Sequence, residues 1–110
     1  MRKAKKTRLE TKGWRVGTVQ EFLGLSDEEA AYIEVRLRLA AALRKRRQQK
    51  RLSQTDLASR IGSSQSRVAK MEAGDPSVSL DLMIRSLLAL GASKRDLARA
   101  ISHASLAEAS

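Results

Sequence analysis

The 110-residue chain has no cysteine and a single histidine, His103. Neither a disulfide framework nor a thiolate metal site is available, and one histidine without a partner at ligand spacing leaves no zinc site; the metal expectation is none. Aromatic residues are three, Trp14, Phe22 and Tyr32. That is too few for the stacking platforms on which proteins usually read single-stranded RNA. Proline occurs once, at Pro76, so few helices are interrupted. No run approaches the roughly 18 apolar residues of a membrane span, and no apolar core follows the basic start as in a signal peptide. The expectation is a cytoplasmic, nucleoid-associated protein with no membrane partner. Acidic residues are also scarce, 12 against 22 Lys and Arg, for a formal charge of +10. Such an imbalance points to a polyanionic partner.

The cations come in blocks. Residues 1–15 carry seven (Arg2, Lys3, Lys5, Lys6, Arg8, Lys12, Arg15), and residues 36–51 carry eight with no acid among them. The first block lacks apolar periodicity and reads as a flexible basic arm, residues 1–13, either attracting phosphates or serving only as a solubilising tail. Residues 14–26 follow as an N-terminal segment holding Trp14 and Phe22, with a short helix from about Val19 to Leu23 and a break at Gly24. Ser26, followed three residues later by Glu29, forms a capping-box signature. A long helix should start at Asp27 and run to about Lys50, acidic at its start and basic at its end, in keeping with the helix dipole. It carries two apolar stripes, Ile33, Leu37 and Ala40/Ala41, then Tyr32, Val35, Leu39 and Leu43, a wider apolar surface than one neighbour requires.

The centre of the chain is LSQTDLASRIGSSQSRVAKMEAG, residues 52–74. Ser53 with Asp56 predicts a capped helix starting at Gln54, whose Leu57, Ala58 and Ile61 share one face. Gly62 supplies the left-handed stop. Ser63 and Ser64 are candidate caps for a second helix. Val68, Ala69 and Met71 turn inward there, leaving Gln65, Ser66, Arg67 and Lys70 outside, and Gly74 closes it. Two short helices around a tight turn, the second with an outer face of amides, hydroxyls and cations, match what a major groove accepts. Asp75-Pro76 then marks a turn. Ser79 caps a helix with Leu80, Leu82, Met83, Leu87, Leu88 and Leu90 on its buried side, and Gly91 stops it. Ser93 with Asp96 caps a last helix bearing Leu97, Ala98 and Ile101. A C-terminal tail, residues 103–110, follows, and the whole reads as a domain from 27 to 102 with its motif at 53–73.

These residues resemble the helix-turn-helix of the Cro/repressor-like (Xre) family. The Leu-Ser-Gln start, the Leu-Ala pair, the central Gly and the Met-Glu-Ala-Gly end all fall at the family spacing. With residues 14–101 as a whole, the chain is similar to antitoxins of HigA type encoded beside RelE-like toxins. The resemblance implies an all-α, lambda-repressor-like five-helix domain with an N-terminal helical extension. It further implies that Gln65, Ser66 and Lys70 read bases, and that Gln54, Ser64 and Arg67 lie near phosphate. Arg47 would pair with Glu72. Arg46 and Lys50, from the basic helix end, are further phosphate candidates.

Leu90, Leu97 and Ile101 are the candidate dimer surface, since a palindromic operator calls for a two-fold homodimer. Trp14, Phe22 and Tyr32 are candidates for contact with a RelE-like toxin. The reading is a transcriptional repressor of double-stranded DNA that also neutralises such a toxin. A stand-alone Xre-type repressor, or a protein-interaction module with incidental DNA affinity, are the alternatives. No Gly-rich phosphate loop and no His/Cys or Ser/His pair at usable spacing occurs, so the expectation is a non-enzyme with no catalytic residue and no cofactor.

Overall fold

Every helix after the first begins at a serine, and the reason is the same each time. The first N–H groups of a helix lack intrahelical partners, and a serine oxygen held in extended backbone satisfies one of them. In a computed structural model describing residues 21–102, residues 21–23 are helical and Gly24 turns the chain with φ 70°. Ser26 and Glu29 then exchange backbone and side-chain bonds of 2.8 and 3.1 Å. Helix α1 follows at Asp27–Gln49. Ser53 and Asp56 form the same reciprocal box ahead of α2, Gln54–Ile61, which ends on Gly62 at φ 64°. Ser64 accepts from the Arg67 N–H at the start of α3, Gln65–Glu72. Ser79 does so for α4, Leu80–Ala89, and Ser93 with Asp96 for α5, Lys94–Ser102. Among the described residues there is no strand.

Two compact units divide between Glu34 and Val35. In the described part of the first, Ala30 is buried while Phe22, Leu23 and Tyr32 are exposed, Phe22 at 85%. The second holds the core, built from Leu39, Ala40 and Leu43 of α1, Leu57 and Ala58 of α2, Val68 and Met71 of α3, and Met83, Leu87 and Leu90 around α4. Helix α2 packs against both α3 and α4. The leucine-rich pattern of α4 misleads at one position, because Leu88 is 47% exposed. It is also incomplete for α5, whose core contacts are Leu97 and Ala100 while Ala98 is exposed. On α1 the Ile33 and Leu37 stripe is largely solvent-facing. Trp14, Val19, the basic arm and the tail from His103 lie outside the described residues.

Arg36 departs furthest from its apparent character. Placed by sequence in the basic block of residues 36–51, it is 5% exposed, and its Nη1 donates to the carbonyls of Asp75 (3.3 Å) and Val78. It thus satisfies two backbone acceptors of the loop joining α3 to α4, the accounting that buried carbonyls require. The neighbouring Leu37 approaches the same loop, since a Cβ on Gly74 would lie 2.7 Å from Leu37 Cδ2. Gly74 also sits at φ 76°, where an L side chain costs roughly 1–2 kcal/mol. Gly74→Ala is therefore expected to lower stability by about that amount in chemical denaturation. Shortening Leu37 to alanine as well should not restore it, because the backbone conformation carries most of the cost.

Two capping boxes and one loop turn tie stability to pH. The carboxyls of Asp56, Asp75 and Asp96 are held below the usual aspartate range, first by backbone N–H donation from Ser53, Ser77 and Ser93 and then by the same serines' hydroxyls. A depressed folded-state value means the stabilisation is complete above the unfolded value of about 3.9 and is lost as pH falls through the lower folded value. Acid denaturation should steepen below about pH 4, and Asp56→Asn should flatten that limb relative to the parent chain.

Candidate nucleic-acid interface

The turn between α2 and α3 is fixed by local bonds. Gly62 in the left-handed region lets the Ser63 N–H reach back to the Ala58 carbonyl at 2.9 Å. This sets α3 across α2 with Val68 and Met71 fully buried, which by helical periodicity leaves Gln65, Ser66, Arg67 and Lys70 exposed.

Behind that face runs one connected polar chain. Arg47 on α1 grips Glu72 with two bonds, Nε to Oε2 at 2.5 Å and Nη2 to Oε1 at 2.9 Å, and its third nitrogen donates to the Leu52 carbonyl at 2.7 Å. The side chains are 11% and 4% exposed. Hydrogen bonding to Glu72 raises the Arg47 pKa above its usual value despite the opposing effect of burial. Glu72 Oε1 also accepts from Gln54 Nε2 at 3.2 Å, and Gln54 Oε1 accepts from Gln65 Nε2 at 2.7 Å. The exposed amide of Gln65 is thus oriented through Gln54 by an ion pair between Arg47 of α1 and Glu72 at the far end of α3 itself. Gln54, which the resemblance puts near phosphate, is half-buried and its amide is engaged at both ends.

Beside α3 lies a polar recess of about 290 Å³, lined by Ser64, Ser66, Arg67, Lys70, Ser77 and Val78. Two hydroxyls at the start of α3, Ser64 and Ser66, stand 3.3 Å apart. The far wall comes from the loop that Arg36 braces, where Asp75 Oδ1 accepts from the Ser77 N–H at 2.8 Å. Hydroxyl and cationic donors around one hollow suit an anionic oxygen, whereas the Gln65 amide outside that lining suits an adenine edge, and the Lys70 ammonium, which lines the hollow, suits phosphate or a guanine edge. Ser77 escaped the sequence reading. The Asp-x-Ser spacing at 75–77, an Asx-turn signal, was the clue.

Three other predicted positions fall elsewhere. Arg46, one step of about 100° round the helix from Arg47, turns to α5 and pairs with Asp96 at 3.1 Å. Lys50 sits by the turn at Gly91, its Nζ 3.8 Å from where a Cβ there would be. Neither lines the recess around α3. Leu90 is 1% exposed, so it belongs to the core and cannot form a dimer surface; Leu97 is half-buried and Ile101 is 41% exposed.

Two short helices crossing at a glycine turn, with a polar cationic outer face on the second, define a helix-turn-helix DNA-binding protein. The helix-turn-helix family matches residues 43–97, and the chain belongs to it, in its Xre-like branch with the lambda-repressor-like all-α fold. It is a DNA-binding transcription regulator. No curated protein and no solved structure matches the chain. Among the described residues no helix is long and apolar enough to cross a membrane, and no cluster of His, Cys, Asp and Glu could hold a metal ion.

Proposed function

We propose that the protein represses transcription from a palindromic operator, with Gln65, Ser66 and Lys70 reading base edges and Ser64 and Arg67 holding phosphate. The observation carrying this reading is the chain of bonds from Arg47 through Glu72 and Gln54 to Gln65. A side-chain amide oriented before binding has less freedom to lose on meeting a base, which favours a specific contact. The experiment is a binding series with the duplex that the protein selects from a random pool, compared with scrambled duplex. Gln65→Ala should relax discrimination at one base position by about 1–3 kcal/mol. Arg67→Ala should instead weaken all duplexes alike and lower the salt slope by about one. Equal loss on both duplexes for both variants would favour nonspecific electrostatics.

One recognition helix covers only a few base pairs, so the functional unit in this reading is a homodimer. Exposed Ile101 on α5 and Leu88 on α4, which replaces the buried Leu90, supply its apolar surface.

The protein is further proposed to act in the cytoplasm as the antitoxin of a RelE-like ribonuclease. The resemblance of residues 14–101 to HigA-type antitoxins motivates this, and the exposed rings of Phe22 and Tyr32 are the surface offered to the toxin; Trp14, outside the described residues, is the third candidate by sequence. Co-purification with the product of a neighbouring RelE-like reading frame, lost on Phe22→Ala/Tyr32→Ala, tests it. Operator binding with no such partner returns the reading to a stand-alone repressor.

A further inference from the structure

On the seam between α1 and α5 lies a hollow of about 310 Å³ that the DNA-binding reading does not use. Its floor is apolar and built largely from small side chains, with Ala42, Ala92 and Ala100 beside Leu87 and Leu97. Small residues make it concave, because two helices there meet without side chains large enough to fill the gap. Its volume is at the lower end of the range of sites for small organic ligands, roughly 300–1,000 Å³.

The rim is charged and unbalanced. Lys45, Arg46 and Arg99 surround it, and the carboxylate on that rim is Asp96. Asp96 is already shared: one oxygen faces Arg46 at 3.1 Å and the other Arg99 at 3.4 Å, while the Ser93 N–H also donates to it. Lys45 is exposed and has no ion-pair partner among the described residues. An apolar floor under a rim with more cations than anions is complementary to a molecule with one anionic end and a slender apolar body. Helix α5 contributes no fully buried residue, so the wall it forms can adjust to a guest.

We propose that the α1–α5 hollow binds a small anionic amphiphile, a carboxylate with an unbranched chain of medium length, its head on Lys45 and Arg99 and its chain over Ala42, Leu97 and Ala100. This site is separate from the α3 face, and its test does not depend on DNA.

The test is an NMR titration of the full chain with octanoate, hexanoate and octylammonium, all below micelle-forming concentration. Octanoate should give saturable shifts centred on Ala42, Lys45, Leu97 and Ala100. Affinity should fall about fourfold for each CH2 removed, hence about fifteenfold for hexanoate, and octylammonium should leave these signals unmoved. Lys45→Glu, an exposed change remote from the core, should weaken octanoate at least tenfold. Ala42→Leu, filling the floor, should abolish it; should that variant not fold, Lys45→Glu decides.

Equal binding of octylammonium, shifts scattered over the surface, or unchanged affinity in Lys45→Glu would overturn the proposal. So would octanoate binding that appears only after deletion of residues 103–110, which would assign the hollow to the chain's own end. Shifts at these positions that track protein concentration without octanoate would assign it to self-association.

Discussion

Glu72→Ala should destabilise the domain by about 3–5 kcal/mol, the range for breaking a buried ion pair from one side. The carboxylate is 4% exposed and receives both prongs of the Arg47 guanidinium together with the Gln54 amide. Removing it leaves a cation 11% exposed with one remaining bond, to the Leu52 carbonyl. Replacing both partners is a different experiment. Arg47→Met with Glu72→Leu removes the charges together, and the double variant should recover most of the loss, because the penalty belongs to the stranded charge more than to the lost attraction. Urea denaturation of the three proteins checks this. The double variant should nonetheless bind DNA less selectively than the parent, since Gln54 would lose the acceptor that fixes it and Gln65 would lose its orientation. A single Glu72→Ala change costing less than about 1 kcal/mol would mean that solvent reaches the pair.

Leu57→Ala should cost about 2–5 kcal/mol, the range for truncating a buried leucine. Leu57 is fully buried and lies on α2, the helix that packs against both α3 and α4. With eight residues α2 is too short to persist alone, so its stability comes from this packing. A small domain has only about 5–15 kcal/mol in total. Thermal melting should therefore show a large fall in midpoint, and DNA binding should be lost at temperatures where the parent chain still binds. Leu88→Ala on α4 is the control. Also a leucine but 47% exposed, it should change stability far less.

The comparison of these two leucines shows where local pattern is informative. The starts of α1 to α5 were legible, at α3 as a choice between Ser63 and Ser64, because a cap is a contact between residues three apart and needs no tertiary context. Ser53 with Asp56 and Ser93 with Asp96 are examples. The stop at Gly62 was legible for the same reason: its left-handed backbone is a property of one residue. Burial on α3 followed from periodicity. Periodicity failed on α4 and α5, where apolar residues outnumber the positions the core can accept. Leu88 and Leu90 look alike in sequence, yet one is exposed and the other is sealed beneath α4. The Ile33 and Leu37 stripe of α1 is a further surplus.

Charges were the least legible. Sixteen residues with eight cations and no acid read as a basic helix end directed at phosphate, with Arg47 alone given a structural partner, Glu72, by the resemblance; three of those cations have separate tertiary tasks. Arg36 braces the loop before α4, Arg46 pairs with α5, and Arg47 holds α3. Each depends on an acceptor 25 to 50 positions away. Nothing in the local run distinguishes them except their angle on the helix, and that angle has meaning only once the neighbours are known.

The amino-acid order alone thus established the number and bounds of the core helices, the glycine turn and the polar outer face of α3, since these arise from contacts within a few residues and from helical period. Packing decided which cations are structural, which leucines remain outside, and that Gln65 is held through Gln54 by an ion pair between α1 and α3. Those outcomes rest on meetings between distant segments, and the direction of a long side chain is set by whichever partner the fold brings within reach.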